Sequence, residues 1–316
     1  MNSVRCFVLG AFLDYWGKHG SRPAMVWVDR AGHHRMLPYS HFAGSAARFA
    51  SLLGDLGLAR GESVAVLLPP VPEWWEVAAG TIRAGVPFAP MPGGEPDGDR
   101  LRCAGAAVVV VDEARLEPAL ALRRAGGVRH VVCVGGLPHA EALNYGAMMF
   151  LAEPDREPEP AAGPVLLTGD ETYSNADLGR LADELGLAWL DRNHDDLHLS
   201  LAPRHTATGV LLGLIEPWSA GAAILVDETG GAPIRVRDLV ERFSVTTMSA
   251  PGASYAELAA TGVRGLRNSS LRRVLAIGAQ PDAAACAWFR QTGLWIHSGP
   301  APAAALTTCA TFPGAF

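Results

Sequence analysis

"RMLPYSHFAGSAARFASLLGDLGLARGESVAVLLPPVPEWWEVAAGTIRAGVPFAPM", residues 35–91, switches back and forth between two hydrophobic periods. Phe42, Ala46, Phe49, Leu53 and Leu56 step by four and three, so they share one face of a helix. Ser40 or Tyr39 opens that helix, and Gly57 offers a left-handed stop. Val64–Leu68 is an unbroken apolar run, the pattern of a strand covered on both faces. "VPEWWEVAAGTIRAG" (71–85) reads as a second helix closed by Gly85, and Val86–Ala89 as the next strand. Strand, helix and parallel strand in that order require a right-handed crossover, which predicts an α/β protein. On the "VPEWW" helix, Trp74 and Trp75 belong to the core.

The alternation continues outward. Further strands are expected at Met25–Val28, Ala107–Val111, His130–Val134, Val165–Leu167, Ala222–Val226, Val245–Met248, Val274–Ile277 and Leu294–His297. A third helix spans 282–293 and ends at Gly293, and "CFVLGAFL" (6–13) is the first amphipathic helix. "GVLLGLIEPWSAGAAILV" (209–226) is interrupted by Glu216 and Pro217, so it predicts a buried helix, a turn and a strand rather than a membrane span. The proline- and acid-rich stretch at 151–163 cannot form a core element and reads as a linker. It divides the chain into an N-terminal lobe, 1–150, and a second lobe, 164–316.

The 316 residues are 49% hydrophobic and 18% charged, enough apolar material for a sizeable core. The net charge of −6 and the lack of any basic run exclude nucleic acid and anionic membrane surfaces as expected partners. Five dispersed cysteines without C-x-x-C spacing predict reduced thiols, a cytoplasmic location and no zinc site. No H-E-x-x-H or similar spacing predicts any other metal centre.

Residues 35–91 resemble the opening of acyl-CoA synthetases, members of the adenylate-forming (AMP-binding, ANL) superfamily, and "VPEWW" is most similar to the medium-chain branch. "TYSNADLGRLADELGLAWLD" (172–191) resembles the segment after that branch's phosphate loop, and "LIEPWSAGAAILVDE" (214–228) its P-W-x-x-G-A passage. "VTTMSAPGASYAEL" (245–258) is similar to the strand and loop lining the acyl pocket, and "SLRRVLAIGAQPDAAACAWFRQTGLWIHSG" (270–299) to the next strand–helix–strand unit. The resemblance implies the family's large N-terminal domain of two stacked α/β lobes. It also implies a chemistry in which ATP adenylates a carboxylate and the acyl group passes to coenzyme A.

This chain departs from the family at three devices. The Ser/Thr/Gly-rich phosphate loop ending in Pro-Lys contracts to Thr168-Gly169-Asp170-Glu171-Thr172, with two acids and no lysine. The G-Y-G-x-T-E motif matches Gly299, Pro300, Ala301, Pro302, Ala303 and Ala304, which offer neither hydroxyl nor carboxylate. The chain stops at Phe316, before the smaller C-terminal lid domain with its catalytic lysine would begin. The expectation is therefore a degenerate, non-adenylating member with no cofactor. Its ligand would be a small carboxylic acid, an acyl thioester or a carrier-bound acyl group. Two alternatives stay open: a working ligase or acyl-transfer enzyme that uses ATP, magnesium and coenzyme A through a divergent site, and a non-catalytic partner of an intact homologue.

By position against the family, the acyl pocket would be lined by Thr206, Gly209, Val210, Ala253, Ser254, Gly278 and Ala279. Alternatively, these small residues only let elements pack closely. His205 and His297 are candidate general bases, or else hydrogen-bonded structural histidines. Asp170 and Glu171 read either as paired carboxylates or as acids charging the start of the helix expected near Ser174. His33 and His34 fall in a hairpin-like turn, and Cys309 is a weakly supported nucleophile.

Overall fold

Val108 to Val111 follow one another in a single strand and are all buried, because helices cover both faces of the sheet that contains them. The computed structural model describes residues 9–19, 21–154, 163–169, 171–230, 233–260, 266, 270–299 and 301–302. Its strands are β1 Pro23–Val28, β2 His34–Pro38, β3 Ser63–Leu67, β4 Phe88–Pro90, β5 Ala106–Asp112, β6 His130–Val134 and β7 Leu143–Asn144. They continue with β8 Pro164–Thr168, β9 Glu171–Ser174, β10 Leu197–Ser200, β11 Ala223–Asp227, β12 Thr247–Pro251, β13 Arg273–Ile277 and β14 Ile296–Gly299. They form two seven-stranded sheets, one in each of two compact units. The α/β class expected from the sequence is observed.

The first unit comprises Met1–Arg22 and Pro38–Ala176. Its sheet runs β7-β6-β5-β3-β4-β8-β9, parallel except for the antiparallel β8–β9 pair at one edge. The helix Tyr39–Asp55 buries Phe42, Ala46, Phe49 and Leu53 as its period requires, and Gly57 takes the left-handed conformation beyond its end. The helix Pro72–Arg83 lies against it so closely that a Cβ on Gly80 would come 2.7 Å from the Phe49 Cβ. Trp74 meets Phe88 edge to face at 5.4 Å, and both tryptophans are core residues.

The second unit comprises Pro23–Leu37 and Asp177–Phe316, with sheet order β14-β13-β12-β10-β11-β1-β2. The boundary therefore differs from the one expected at 151–163. Leu166 of β8 pairs with Phe88 of β4, which keeps the strand after the linker in the first sheet. Val28 of β1 pairs with Asp227 of β11, which takes 23–37 into the second. Pairings between residues so far apart in sequence leave no local signal.

The two faces of the second sheet differ in chemistry because side chains alternate along each strand. Leu199, Met248, Val274 and Leu225 belong to an apolar core with Val236, Leu239, Val240, Tyr255 and Phe289 from three helices. The alternate positions His198, Thr247 and Ser249 are also fully buried but polar. Leu275 and Ile277 share a cluster with Leu185, Leu190 and Leu212, which come from two π-helical turns, Glu184–Leu190 and Leu211–Ile215. The expected helix, turn and strand at 209–226 is thus a short helix Ala207–Val210, a π-helical turn, a second short helix Glu216–Ser219 and then β11. Among the described residues no helix is long and apolar enough to cross a membrane.

Candidate functional site

In the second sheet the connection from β10 leads to β11 on one side, and the connection from β11 returns to β12 on the other. This reversal is a topological switch point, and open α/β sheets bind ligands in the crevice beyond the carboxyl ends of their strands at such a point. The loops bordering it follow Ser200 of β10 and Pro251 of β12, with the loop after Ile277 of β13 next in line.

The loop after β10 is braced by its own hydrogen bonds. Thr206 donates its N–H (3.0 Å) and its hydroxyl (2.7 Å) to the Pro203 carbonyl. Its Oγ1 also accepts the Gly209 N–H at 3.1 Å, capping the following helix. A Cβ on Gly209 would lie 2.1 Å from the Pro203 oxygen. Gly209 and Val210, expected to line a pocket, are instead buried, Val210 completely. Here the packing role of glycine holds, since the helix needs a bare Cα to approach this loop.

The remaining expected pocket residues lie along the carboxyl edge. Thr206 and Ser254 are half-buried, while Ala253, Gly278 and Ala279 are exposed. The loops after β12 and β13 touch directly, because a Cβ on Gly252 would come 2.1 Å from the Ala279 oxygen. His205 is exposed beside Thr206, and His297 is half-buried on β14, in register with Leu275. Strands β10 and β14 are three intervals apart, about 14 Å at the usual strand spacing. His205 therefore follows a strand in the middle of the sheet, and His297 stands on the strand at one end.

A buried polar cluster that the sequence analysis missed lies in the same unit. His198 Nδ1 is 2.9 Å from Thr247 Oγ1, and its Nε2 is 2.9 Å from Ser249 Oγ. Arg192 Nε donates to Glu216 Oε1 at 2.6 Å, and its second guanidinium nitrogen stands 2.6 Å from Oε2. Arg192 also reaches Thr247 Oγ1 at 3.4 Å. Both members of the ion pair are buried, and burial pushes Glu216 up to about 7 against the pull of Arg192.

Burial, reinforced by the nearby Arg192 charge, holds His198 well below the ordinary histidine range. The unfolded chain therefore binds a proton below about pH 6.5 that the folded chain refuses. This contribution to stability is complete above the unfolded pKa and is lost as the pH falls. Glu216 acts in the opposite sense, because a carboxyl raised by burial favours the folded state as the pH falls. Comparison with His198→Asn isolates the histidine. Between pH 7 and pH 5, urea unfolding should show the parent losing about 2 kcal/mol relative to the variant. Parallel stability profiles for the two chains would contradict this account.

In the first unit the contracted phosphate-loop passage is an antiparallel hairpin. Thr168 pairs with Glu171, Leu167 with Thr172 and Leu166 with Tyr173, and Gly169 adopts φ +59° at the turn. Asp170 lies outside the described residues. The expectation that Glu171 charges a helix start is corrected: it stands in β9, and the helix begins only at Asn175. The Glu171 carboxylate accepts the Tyr173 hydroxyl at 2.8 Å. Thr172 is exposed, whereas Thr168 is buried and its hydroxyl has no hydrogen-bond partner among the described residues.

The first sheet has its own switch point around β3, where a cleft of about 280 Å³ is lined by Leu67, Met91, Gly93, Glu95, Asp97 and Arg100. Arg100 already faces Asp97 at 3.4 Å, and nearby Arg115 is held by Asp112 at 2.6 Å and by the Gly94 carbonyl at 2.7 Å. Among the described residues no group of three His, Cys, Asp or Glu could hold a metal ion. Gly299, Ala301 and Pro302 bring no metal-ligating side chain; Pro300, Ala303, Ala304 and Cys309 lie outside the described residues.

A family model described as AMP-binding enzyme matches residues 12–168. The human mitochondrial acyl-coenzyme A synthetase ACSM2A is 30% identical over 238 residues, covering 68% of this chain and 41% of that protein. The chain spans about half the length of the curated relatives it matches. Among solved structures, an acyl-CoA synthetase from Brucella canis superposes with a TM-score of 0.80 at 20% identity, covering 93% of this chain and 57% of that one. The N-terminal domain of FACL13 from Mycobacterium tuberculosis superposes at 0.77 with 17% identity, covering 93% and 75%.

Proposed function

Since this chain belongs to the AMP-binding, adenylate-forming superfamily and has the fold of its N-terminal domain, we propose that it binds an acyl group without activating it with ATP. The ligand is a small carboxylic acid or an acyl thioester, held at the carboxyl edge of the second sheet. The hairpin β8–β9 carries this reading. A triphosphate has to be met by amides and cations aimed at its oxygens. In the hairpin, ladder pairing takes up main-chain groups that a cradle would have to point at phosphate. The exposed Glu171 adds repulsion, about 4 kcal/mol for like charges 4 Å apart at an effective dielectric near 20. The small residues at the second sheet's edge leave room for a short or cyclic acyl group.

The human relative is a mitochondrial acyl-coenzyme A synthetase. For this chain we propose the cytoplasm, on the strength of its scattered thiols, of which Cys103, Cys133 and Cys286 are free. Calorimetric titration tests the functional reading. Mg-ATP should give no saturable heat up to about 1 mM, an affinity near −4 kcal/mol, while at least one carboxylate or acyl-CoA in a panel binds more tightly. Saturable binding of Mg-ATP in the micromolar range would overturn it.

A further inference from the structure

The amino edge of the first sheet holds a cleft of about 320 Å³, larger than the one at the switch point of the same sheet. It is lined by the ends of the helices Tyr39–Asp55 and Pro72–Arg83 and by the loops that lead from them into β3 and β4. Leu58, Val86 and Pro87 supply half-buried apolar surface. Of the lining residues only Arg60 and Glu62 carry a formal charge.

A single turn fixes both charges. The Glu62 N–H donates to the Ala59 carbonyl at 3.1 Å, with Arg60 and Gly61 as the central residues, and Gly61 takes φ +90° as such a turn requires. Glu62 Oε2 accepts the Ala59 N–H at 2.6 Å and a hydrogen bond from Arg129, whose same nitrogen stands 3.5 Å from the Gly57 carbonyl oxygen. Ala59 and Gly57 both line the cleft, so these contacts hold the carboxylate against it. Among the described residues Glu62 Oε1 has no partner, and the exposed Arg60 makes no hydrogen bond or ion pair. Cβ atoms on Gly57 and Gly61 would meet nothing within 4 Å, so the space beside the turn is open.

The polarity of this edge matters as well. Helix N-termini at the carboxyl edge of an α/β sheet favour anions. Here two helices turn their carboxyl ends to the cleft, and such ends are partly negative. A plain anion would gain from Arg60 but be repelled by Glu62 and the helix ends. A plain cation would gain from Glu62 and the helix ends but be repelled by Arg60. A molecule with both charges on one carbon satisfies both residues.

We propose that this cleft binds a zwitterionic amino acid with an apolar side chain of leucine size or larger. Its carboxylate meets the planar fork of Arg60, and its ammonium group meets Glu62 Oε1 and the helix ends. Its side chain lies against Leu58, Val86 and Pro87. The proposal is independent of the acyl-binding reading, which concerns the carboxyl edge of the second sheet.

The test is calorimetry on the full chain with leucine and phenylalanine, each beside analogues that keep one charge: isocaproate and isoamylamine, hydrocinnamate and phenethylamine. The parent should bind one of the amino acids with a Kd below about 1 mM and at least tenfold more tightly than either of its analogues. Plain acids are also expected at the second sheet's edge, so every titration is repeated on Arg60→Met, and only binding lost in that variant is assigned to the cleft. Arg60→Met, a change at an exposed side chain, should weaken the amino acid at least tenfold, leave the amine unchanged and keep the parental Tm. Glu62→Gln, which keeps an oxygen for the Ala59 N–H, should also weaken the amino acid at least tenfold, without weakening the Arg60-dependent binding of the acid. The proposal fails if neither amino acid binds below about 1 mM, or if Arg60→Met binds it as tightly as the parent does. It fails equally if the plain acid matches its amino acid and loses as much in Arg60→Met, which would make the cleft a simple anion site.

Discussion

Replacing Gly209 by alanine should cost about 3 kcal/mol or more, seen as a lower urea midpoint with an unchanged slope. The added methyl group would sit 2.1 Å from the Pro203 oxygen, 2.6 Å from its carbonyl carbon and 2.9 Å from the Arg204 Cα. All three are main-chain atoms, so no side chain can swing away. Either the loop or the helix must move, and movement of either pulls the Gly209 N–H off Thr206 Oγ1, a cap worth about 1 kcal/mol. Gly213→Ala, four residues further on, is the control. Its methyl group would meet only the Ser200 Cβ, at 3.8 Å, an ordinary contact. There the better helix propensity of alanine, about 1 kcal/mol over glycine, should leave stability unchanged or raised. Equal losses at the two positions would mean that the close approach at Gly209 is not real.

What the sequence made legible was whatever depends on neighbours along the chain. The helix through Phe42, Ala46, Phe49 and Leu53 has its faces written in its period, and Gly57 ends it because glycine takes φ +61° without strain. The valine run of β5 could only be a strand between two covered faces. Other features depend on distant partners. Nothing within 23–38 says that β1 will pair with β11, nearly two hundred residues later. His198 alternates with leucines in Leu197–Ser200 like any half-buried polar residue. Its real partners lie 49 and 51 residues away on β12, and only the sheet register brings them onto its face. The π-helical turns escape for a related reason. A single extra residue in a turn shifts the period slightly, and a stretch as apolar as Leu211–Ile215 reads the same in either register. At the hairpin of β8 and β9, reading the flanks as strand and helix was nearly right, but a two-residue turn leaves β9 too short to show its own alternation.

Breaking the Arg192–Glu216 ion pair from its two sides should have unequal consequences. Glu216→Ala strands a guanidinium with a fully buried side chain, and arginine cannot shed its proton to escape. A loss of 3–5 kcal/mol is expected at pH 7.5, and it grows toward pH 5.5 because the parent's Glu216, raised by burial, favours the folded state as the pH falls. Arg192→Met strands the carboxylate instead, and a carboxylate can be neutralised. Burial already pushes Glu216 up to about 7 with Arg192 in place; without that cation its pKa goes higher. A carboxyl whose folded pKa lies above its unfolded value of 4.5 destabilises the fold at neutral pH, and this cost disappears as the pH falls toward the unfolded value. Arg192→Met should therefore be as unstable as Glu216→Ala at pH 7.5 and recover much of the difference by pH 5.5. The double variant Arg192→Met/Glu216→Leu removes both charges and fills a similar volume, so it should regain most of the stability lost by either single change. Urea unfolding of the parent and these three variants at both pH values decides the matter. If both single variants lose stability equally at both pH values, or the double variant is no better than the worse single one, the pair is not the buried, mutually compensating contact that its two 2.6 Å distances describe.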